Sequence, residues 1–126
     1  RFESPVQVDA RTAFEPVEID GHTITTGETV VTFLGAANRD PAVFPDPDRF
    51  DVTRHPNHPL SFAAGIHYCL GANLARLEGR VVFDRLTRRF ADIAWLDNGP
   101  DWRGTLILRG VNHLNVAVTP KEGTTR

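Results

Sequence analysis

A chain of 126 residues, 40% of them hydrophobic, can bury one domain core of modest size. With 14 Lys and Arg against 16 Asp and Glu the formal net charge is −2, so neither nucleic acid nor an anionic membrane is an expected partner. No apolar run is long enough to cross a bilayer, no secretory signal opens the chain, and one cysteine makes no internal disulfide; these point to the reducing cytoplasm.

Val17-Glu18-Ile19 and His22-Thr23-Ile24 flank Asp20-Gly21, a dipeptide that suits the left-handed positions of a type I′ turn, so a β-hairpin is predicted here. Thr26-Gly27-Glu28 turns the chain into a β-branched strand over Thr29–Leu34, and Ala36–Arg39 reads as a short helical turn. Between Asp40 and Pro59, prolines at 41, 45, 47, 56 and 59 exclude both helix and central strand, while Phe44 and Phe50 offer apolar anchors. A helix is predicted over Leu70–Phe90, where Leu70, Leu74, Leu77, Val81, Val82, Leu86 and Phe90 recur at helical spacing. Arg76, Arg80, Arg85, Arg88 and Arg89 lie mostly off that stripe. A strand is expected from Ile93 to Leu96 and a turn over Asp97–Pro100. Leu106–Leu108 and Leu114–Val118 read as short strands joined through Arg109-Gly110, and Lys121–Arg126 as a frayed polar tail. There is no internal repeat or low-complexity stretch.

The chemistry-bearing segment is Ser61–Gly71, where a glycine-bearing loop carries the lone Cys69 directly into the helix. A helix N-terminus offers unpaired N–H groups and a positive dipole end, and both favour a thiolate. Without its context such a cysteine is more often a small buried hydrophobe. A zinc site with His67, His55 or His58 lacks recurring ligand spacing, and a thiol hydrolase with His67 as base lacks a third orienting group.

The pattern Phe62-x-x-Gly65-x-His67-x-Cys69-x-Gly71 resembles the haem-binding loop of the cytochrome P450 family. The resemblance implies haem b ligated by Cys69, with His67 bonding a propionate, Phe62 shielding the thiolate, and Gly65 and Gly71 letting the backbone approach the macrocycle. Ala63 stands where the family usually has glycine or a small polar residue, which predicts local strain. The rest of the chain follows the family in order. Arg1 resembles the arginine of its Glu-x-x-Arg motif, with the glutamate expected before Arg1. Ala37–Pro41 and Phe44–Phe50 resemble its proline-rich meander, with Arg49 as third member of the Glu-Arg-Arg cluster bracing the proximal face. Arg11 matches an arginine that pairs with a propionate. Val6 and Gln7, and Ile107 and Leu108, match two stretches that line the substrate pocket.

The expectation is therefore an α+β chain: a C-terminal piece of the mainly α P450 fold, with one long helix after the cysteine loop, small β-hairpins and the meander. Residues 1–126 would be part of a single haem-binding domain whose N-terminal part lies outside this chain, consistent with the absence of methionine even at position 1. The implied activity, that of the longer parent protein, is monooxygenation of a small lipophilic substrate by O2, with a ferredoxin-type electron donor docking near the basic helix face; this chain would supply the haem-ligand loop and the proximal face and is not expected to be competent alone. The alternative is a non-catalytic remnant or interaction module without stable haem binding.

Overall fold

The structure, a computed structural model, describes residues 1–123. The frayed tail expected over Lys121–Arg126 lies outside the described residues from Thr124 onward. The chain builds two compact units, one from Arg1–Ser61 with Gly104–Arg109, the other from Phe62–Arg103 with the residues after Arg109.

In the first unit, β1 (Asp9–Thr12) pairs antiparallel with β4 (Thr29–Thr32), placing Asp9 opposite Thr32 and Thr12 opposite Thr29. Between them β2 (Val17–Ile19) and β3 (His22–Ile24) form the predicted hairpin. Asp20 (φ +49°) and Gly21 (φ +76°) are both left-handed, as a type I′ turn demands. The strand expected to reach Leu34 stops at Thr32. Phe33 (φ −92°, ψ 84°) leaves the extended region, and the Gly35 N–H bonds to the Gln7 carbonyl at 3.0 Å. The helical turn expected at Ala36–Arg39 accordingly starts earlier, as α1 (Leu34–Ala37). The proline-rich stretch 41–60 holds neither helix nor strand. Phe44 is its buried anchor at 5% exposure, whereas Phe50 is mostly exposed and meets Phe2 edge-on at 5.3 Å between ring centres.

The irregular stretch is positioned by one amide. Asn38, at the end of α1, is fully buried (0% exposed), and its side chain donates to Ser4 Oγ and Ser61 Oγ, each at 3.1 Å. Its Oδ1 accepts the Leu60 N–H at 2.7 Å, and its carbonyl accepts Arg1 Nη1 at 2.7 Å. Every polar group of this buried residue thus has a partner, and together they tie the first residues and the end of the meander to α1.

In the second unit, α2 (Ala72–Arg89) runs into β5 (Phe90–Trp95), which pairs antiparallel with β8 (Val116–Pro120) across a register shift between Phe90 and Asp92. β6 (Asp101–Trp102) pairs with β7 (Val111–His113). The helix is shorter than the predicted Leu70–Phe90 because Phe90 is already extended (φ −116°, ψ 135°) and starts the strand. The strand expected over Leu106–Leu108 is absent. Leu108 instead makes an isolated antiparallel bridge to Val6 in the first unit, and the partner of β8 is β5, far away in sequence. Hydrogen-bond partners chosen across such distances leave no local signal. The apolar stripe of α2 is largely uncovered, with Leu74, Leu77, Val81 and Val82 exposed and Leu86 half-buried.

Asn38→Ala removes one acceptor and two donated bonds, strands the Leu60 N–H and leaves the buried Ser4 hydroxyl only its bond to Ser61 Oγ at 3.3 Å. A loss of about 3 kcal/mol is expected in the denaturant unfolding free energy. A loss within measurement error would show that water substitutes for the amide.

Candidate functional site

Cys69 stands just before α2 on a strapped loop. Its N–H donates to the Phe62 carbonyl at 2.9 Å, closing the chain over a 3-10 turn at Gly65–His67. Inside that closure the Tyr68 N–H donates to the Gly65 carbonyl at 3.1 Å, and the Cys69 carbonyl accepts the Ala72 N–H at 3.2 Å. The reversal needs two left-handed residues, Gly65 at φ +60° and Ala63 at φ +55°. Glycine adopts that region freely, whereas an L-residue there costs about 1–2 kcal/mol. The departure from the family pattern at Ala63 thus takes the form of a strained backbone dihedral.

Gly71 opens α2 without a side-chain cap, so first-turn N–H groups and the positive dipole end remain available to an anion such as a thiolate. Cys69 is exposed, and its neighbours Ile66 (97%) and Leu70 are essentially fully exposed apolar side chains. A Cβ at Gly71 would stand 3.9 Å from Cys69 Sγ, filling space beside the sulfur. His67 ends the 3-10 turn and is exposed. Among the described residues no three His, Cys, Asp or Glu side chains gather as a metal site. A single soft donor beside apolar surface, with glycine keeping the sulfur accessible, suits a metal whose in-plane ligands come from a macrocycle. The residues present fit haem.

Phe62 lies half-buried in this loop, and its ring sits under the Arg76 guanidinium at 4.7 Å. Arg76 also donates from Nη1 to the Tyr68 hydroxyl at 2.7 Å. Sequence reasoning placed Arg76 only on a basic helix face and missed both contacts. The available signal was spacing, a tyrosine eight residues before an arginine across the start of a helix. Of the other helix arginines, Arg88 pairs with Asp84 at 2.7 Å, a bond that raises its pKa above the ordinary guanidinium value. Arg80 and Arg85 are exposed and make no ion pair among the described residues.

The remaining predicted residues lie in the first unit. Val6, Gln7, Ile107 and Leu108 come together: Val6 bridges Leu108, the Gln7 N–H donates to the Ile107 carbonyl at 2.9 Å, and the Arg109 N–H donates to the Pro5 carbonyl at 2.8 Å. The Gln7 amide is occupied, donating to the Ser4 carbonyl and packed where a Cβ on Gly35 would clash with it. Arg11, on β1, bonds through Nη1 to Asp9 at 2.6 Å and to the Ala10 carbonyl at 2.7 Å.

Arg1 donates to the carbonyls of Asn38 and Pro47 and lies over the Phe44 ring at 5.1 Å. Arg49 joins this group through its backbone carbonyl, 3.5 Å from Arg1 Nη2 and from Arg54 Nη2. The side chain that enters the same loop is that of Arg54, bonded to the carbonyls of Pro45 (2.6 Å) and Asp46 (3.0 Å). Arg54 Nε is buried without a hydrogen-bond partner among the described residues. Desolvation, then the like charges of Arg54 and Arg39, push the Arg1 guanidinium below its ordinary pKa. A carboxylate is the group that would relieve both. Ala63→Gly removes the strained dihedral at the cost of some unfolded-state entropy, so a gain of about 0.5–1 kcal/mol in unfolding free energy is expected from denaturant titration. A loss of stability would show that the alanine methyl packs usefully in the loop.

A statistical model of the family "Cytochrome P450" matches residues 1–94. The biotin biosynthesis cytochrome P450 of Bacillus subtilis is 51% identical over 100 residues, covering 75% of this chain and 25% of that protein. The 6-deoxyerythronolide B hydroxylase of Saccharopolyspora erythraea is 48% identical over 118 residues, covering 92% of this chain and 29% of that protein. Among solved structures, P450 OxyD, involved in the biosynthesis of vancomycin-type antibiotics, superposes with a TM-score of 0.89 at 38% identity, covering 95% of this chain and 31% of that one. P450BioI in complex with a fatty-acyl-ligated acyl carrier protein gives 0.87 at 44% identity, covering 93% and 30%. The chain thus spans little more than a quarter of the length of the curated relatives it matches. The loop around Cys69, the proline-rich segment and these matches agree, and the chain belongs to the cytochrome P450 family.

Proposed function

We propose that the protein is a haem-thiolate monooxygenase in which Cys69 would hold haem b through its thiolate. The observation that carries this reading is the Cys69 loop, tied by the N–H bond to the Phe62 carbonyl at the uncapped start of α2, in a chain of the P450 family. Haem bound there supplies the redox chemistry that inserts one atom of O2 into a small lipophilic substrate, using electrons from a ferredoxin-type donor.

The protein's own residues hold and shape. Cys69 offers its sulfur from the exposed end of the loop, just before α2. Gly65 and Gly71 keep the backbone free of Cβ atoms where a flat group must approach, and the Phe62 ring limits access of water. His67 and Arg11 each bond a propionate. The bonds described for Arg11 use only Nη1, so further guanidinium donors remain for a carboxylate. Val6, Gln7, Ile107 and Leu108 line part of the substrate pocket, an assignment supported by their meeting in one short ladder. Arg1 and Arg49 brace the proximal side together with Arg54.

Arg80 and Arg85 are the helix positions best placed by exposure and charge to meet an acidic redox partner. None of the described helices is long and apolar enough to cross a membrane. With the lone cysteine, that supports a cytoplasmic location within one haem-binding domain.

The test is the absorption spectrum of the reduced, carbon monoxide-treated protein. The unsubstituted protein is expected to show the strongly red-shifted Soret band of thiolate ligation. Cys69→Ala is expected to lose it, and Cys69→His to keep haem with a band of non-thiolate type. An unchanged spectrum in Cys69→Ala would overturn the assignment.

A further inference from the structure

Arg76 is the side chain that touches both limbs of the cysteine loop. Its guanidinium lies over the Phe62 ring at 4.7 Å and near the Tyr68 ring at 5.9 Å, and Nη1 donates to the Tyr68 hydroxyl at 2.7 Å. Phe62 provides the carbonyl that accepts the Cys69 N–H, and Tyr68 is the residue immediately before Cys69. One planar group on α2 therefore grips the acceptor and the donor side of the bond that closes the loop. α2 is a regular helix of 18 residues, whereas the loop is irregular and contains a strained Ala63 and a Gly65 at positive φ.

We propose that Arg76 is a positioning residue for the Cys69 thiolate, clamping Phe62 and Tyr68 so that the loop holds the sulfur in one geometry. This inference rests on Cys69 ligating haem. The physical argument is additive. A cation over an aromatic face and a charge-shared hydrogen bond each contribute modestly, yet both oppose the same motion, the separation of Phe62 from Tyr68. When the clamp is gone the loop opens more often, water reaches the sulfur, and the thiolate donates less strongly to the iron. Weaker donation stabilises the ferric state less, so the midpoint potential rises. Lysine cannot replace arginine here, because the ammonium lacks the planar fork that stacks and bonds at once.

The test uses the haem-loaded protein and reads the midpoint potential and the rate at which the thiolate-type Soret band is lost on mild heating. Arg76→Ala is expected to raise the potential and to speed loss of the band about tenfold. Arg76→Lys is expected to behave nearly as Arg76→Ala. Tyr68→Phe keeps the ring and removes only the hydroxyl, so it should shift the potential less and in the same direction. In the Arg76→Ala background that Tyr68→Phe shift should vanish. An unshifted potential in Arg76→Ala with haem content retained would overturn the clamp, as would full rescue by Arg76→Lys or a Tyr68→Phe effect of equal size in both backgrounds. Where Arg76→Ala fails to fold, Tyr68→Phe and Arg76→Lys carry the same comparison. Lack of a thiolate-type band in the unsubstituted protein would instead overturn the haem assignment, and the clamp with it.

Discussion

The buried amide of Asn38 joins three pieces of backbone that have no ladder between them: the segment around Ser4, the end of α1, and the Leu60-Ser61 exit of the proline-rich stretch. In a low-dielectric interior an amide is stabilising only when all of its groups are satisfied, and then it dictates one arrangement rather than several. The rest of the first unit builds on this point. Ser4, next to it, is also nearly fully buried, and its carbonyl accepts the side chain of Gln7, the residue whose own backbone leads into the ladder with Ile107.

A second constraint follows from the prolines. Proline removes a donor and blocks a regular ladder, so a proline-rich segment leaves carbonyls without backbone partners. Arginine side chains fill that role here. Arg54 bonds the carbonyls of Pro45 and Asp46, Arg1 that of Pro47, and Arg39 that of Phe2 while lying over the Phe2 ring at 3.8 Å. The guanidinium is suited to this because its several donors lie in one plane whose face also stacks on an aromatic ring. In the second unit Arg76 likewise stacks on an aromatic ring, that of Phe62, but its hydrogen bond goes to the Tyr68 hydroxyl. Irregular backbone in this protein is ordered by arginine planes where strands or helices would otherwise supply the bonds.

These constraints matter for the function proposed above, in which a thiolate ligand must be both exposed to its metal and fixed. Cys69 is exposed, and its loop has no strand on either side. Its geometry rests on three backbone bonds, two left-handed residues, the start of α2 and the contacts of Arg76 with Phe62 and Tyr68. The exposed apolar side chains around it and along α2 are consistent with a chain that spans little more than a quarter of its relatives' length. Such surface is stable in water only when something apolar packs against it.

Much of this was legible from local chemistry. Asp20-Gly21 specified its hairpin because few dipeptides tolerate two left-handed residues in succession. The periodicity of Leu74, Leu77 and Val81 located α2 within a few residues, and the glycine and cysteine spacing marked the loop. The strain at Ala63 was readable as a departure from pattern. What was not legible depends on contacts between residues distant in the chain. The pairing of β5 with β8, the bridge from Val6 to Leu108, the choice of Arg54 beside Arg1, and the reach of Arg76 back to Phe62 are each one option among many with similar local propensity. The sequence by itself determined the turns, the long helix and the place of the lone cysteine just before that helix, because these follow from backbone sterics and residue chemistry over a few positions. Only the tertiary structure decided which strand pairs with which and which arginine holds which loop, because that choice is settled by packing and by satisfying buried polar groups collectively.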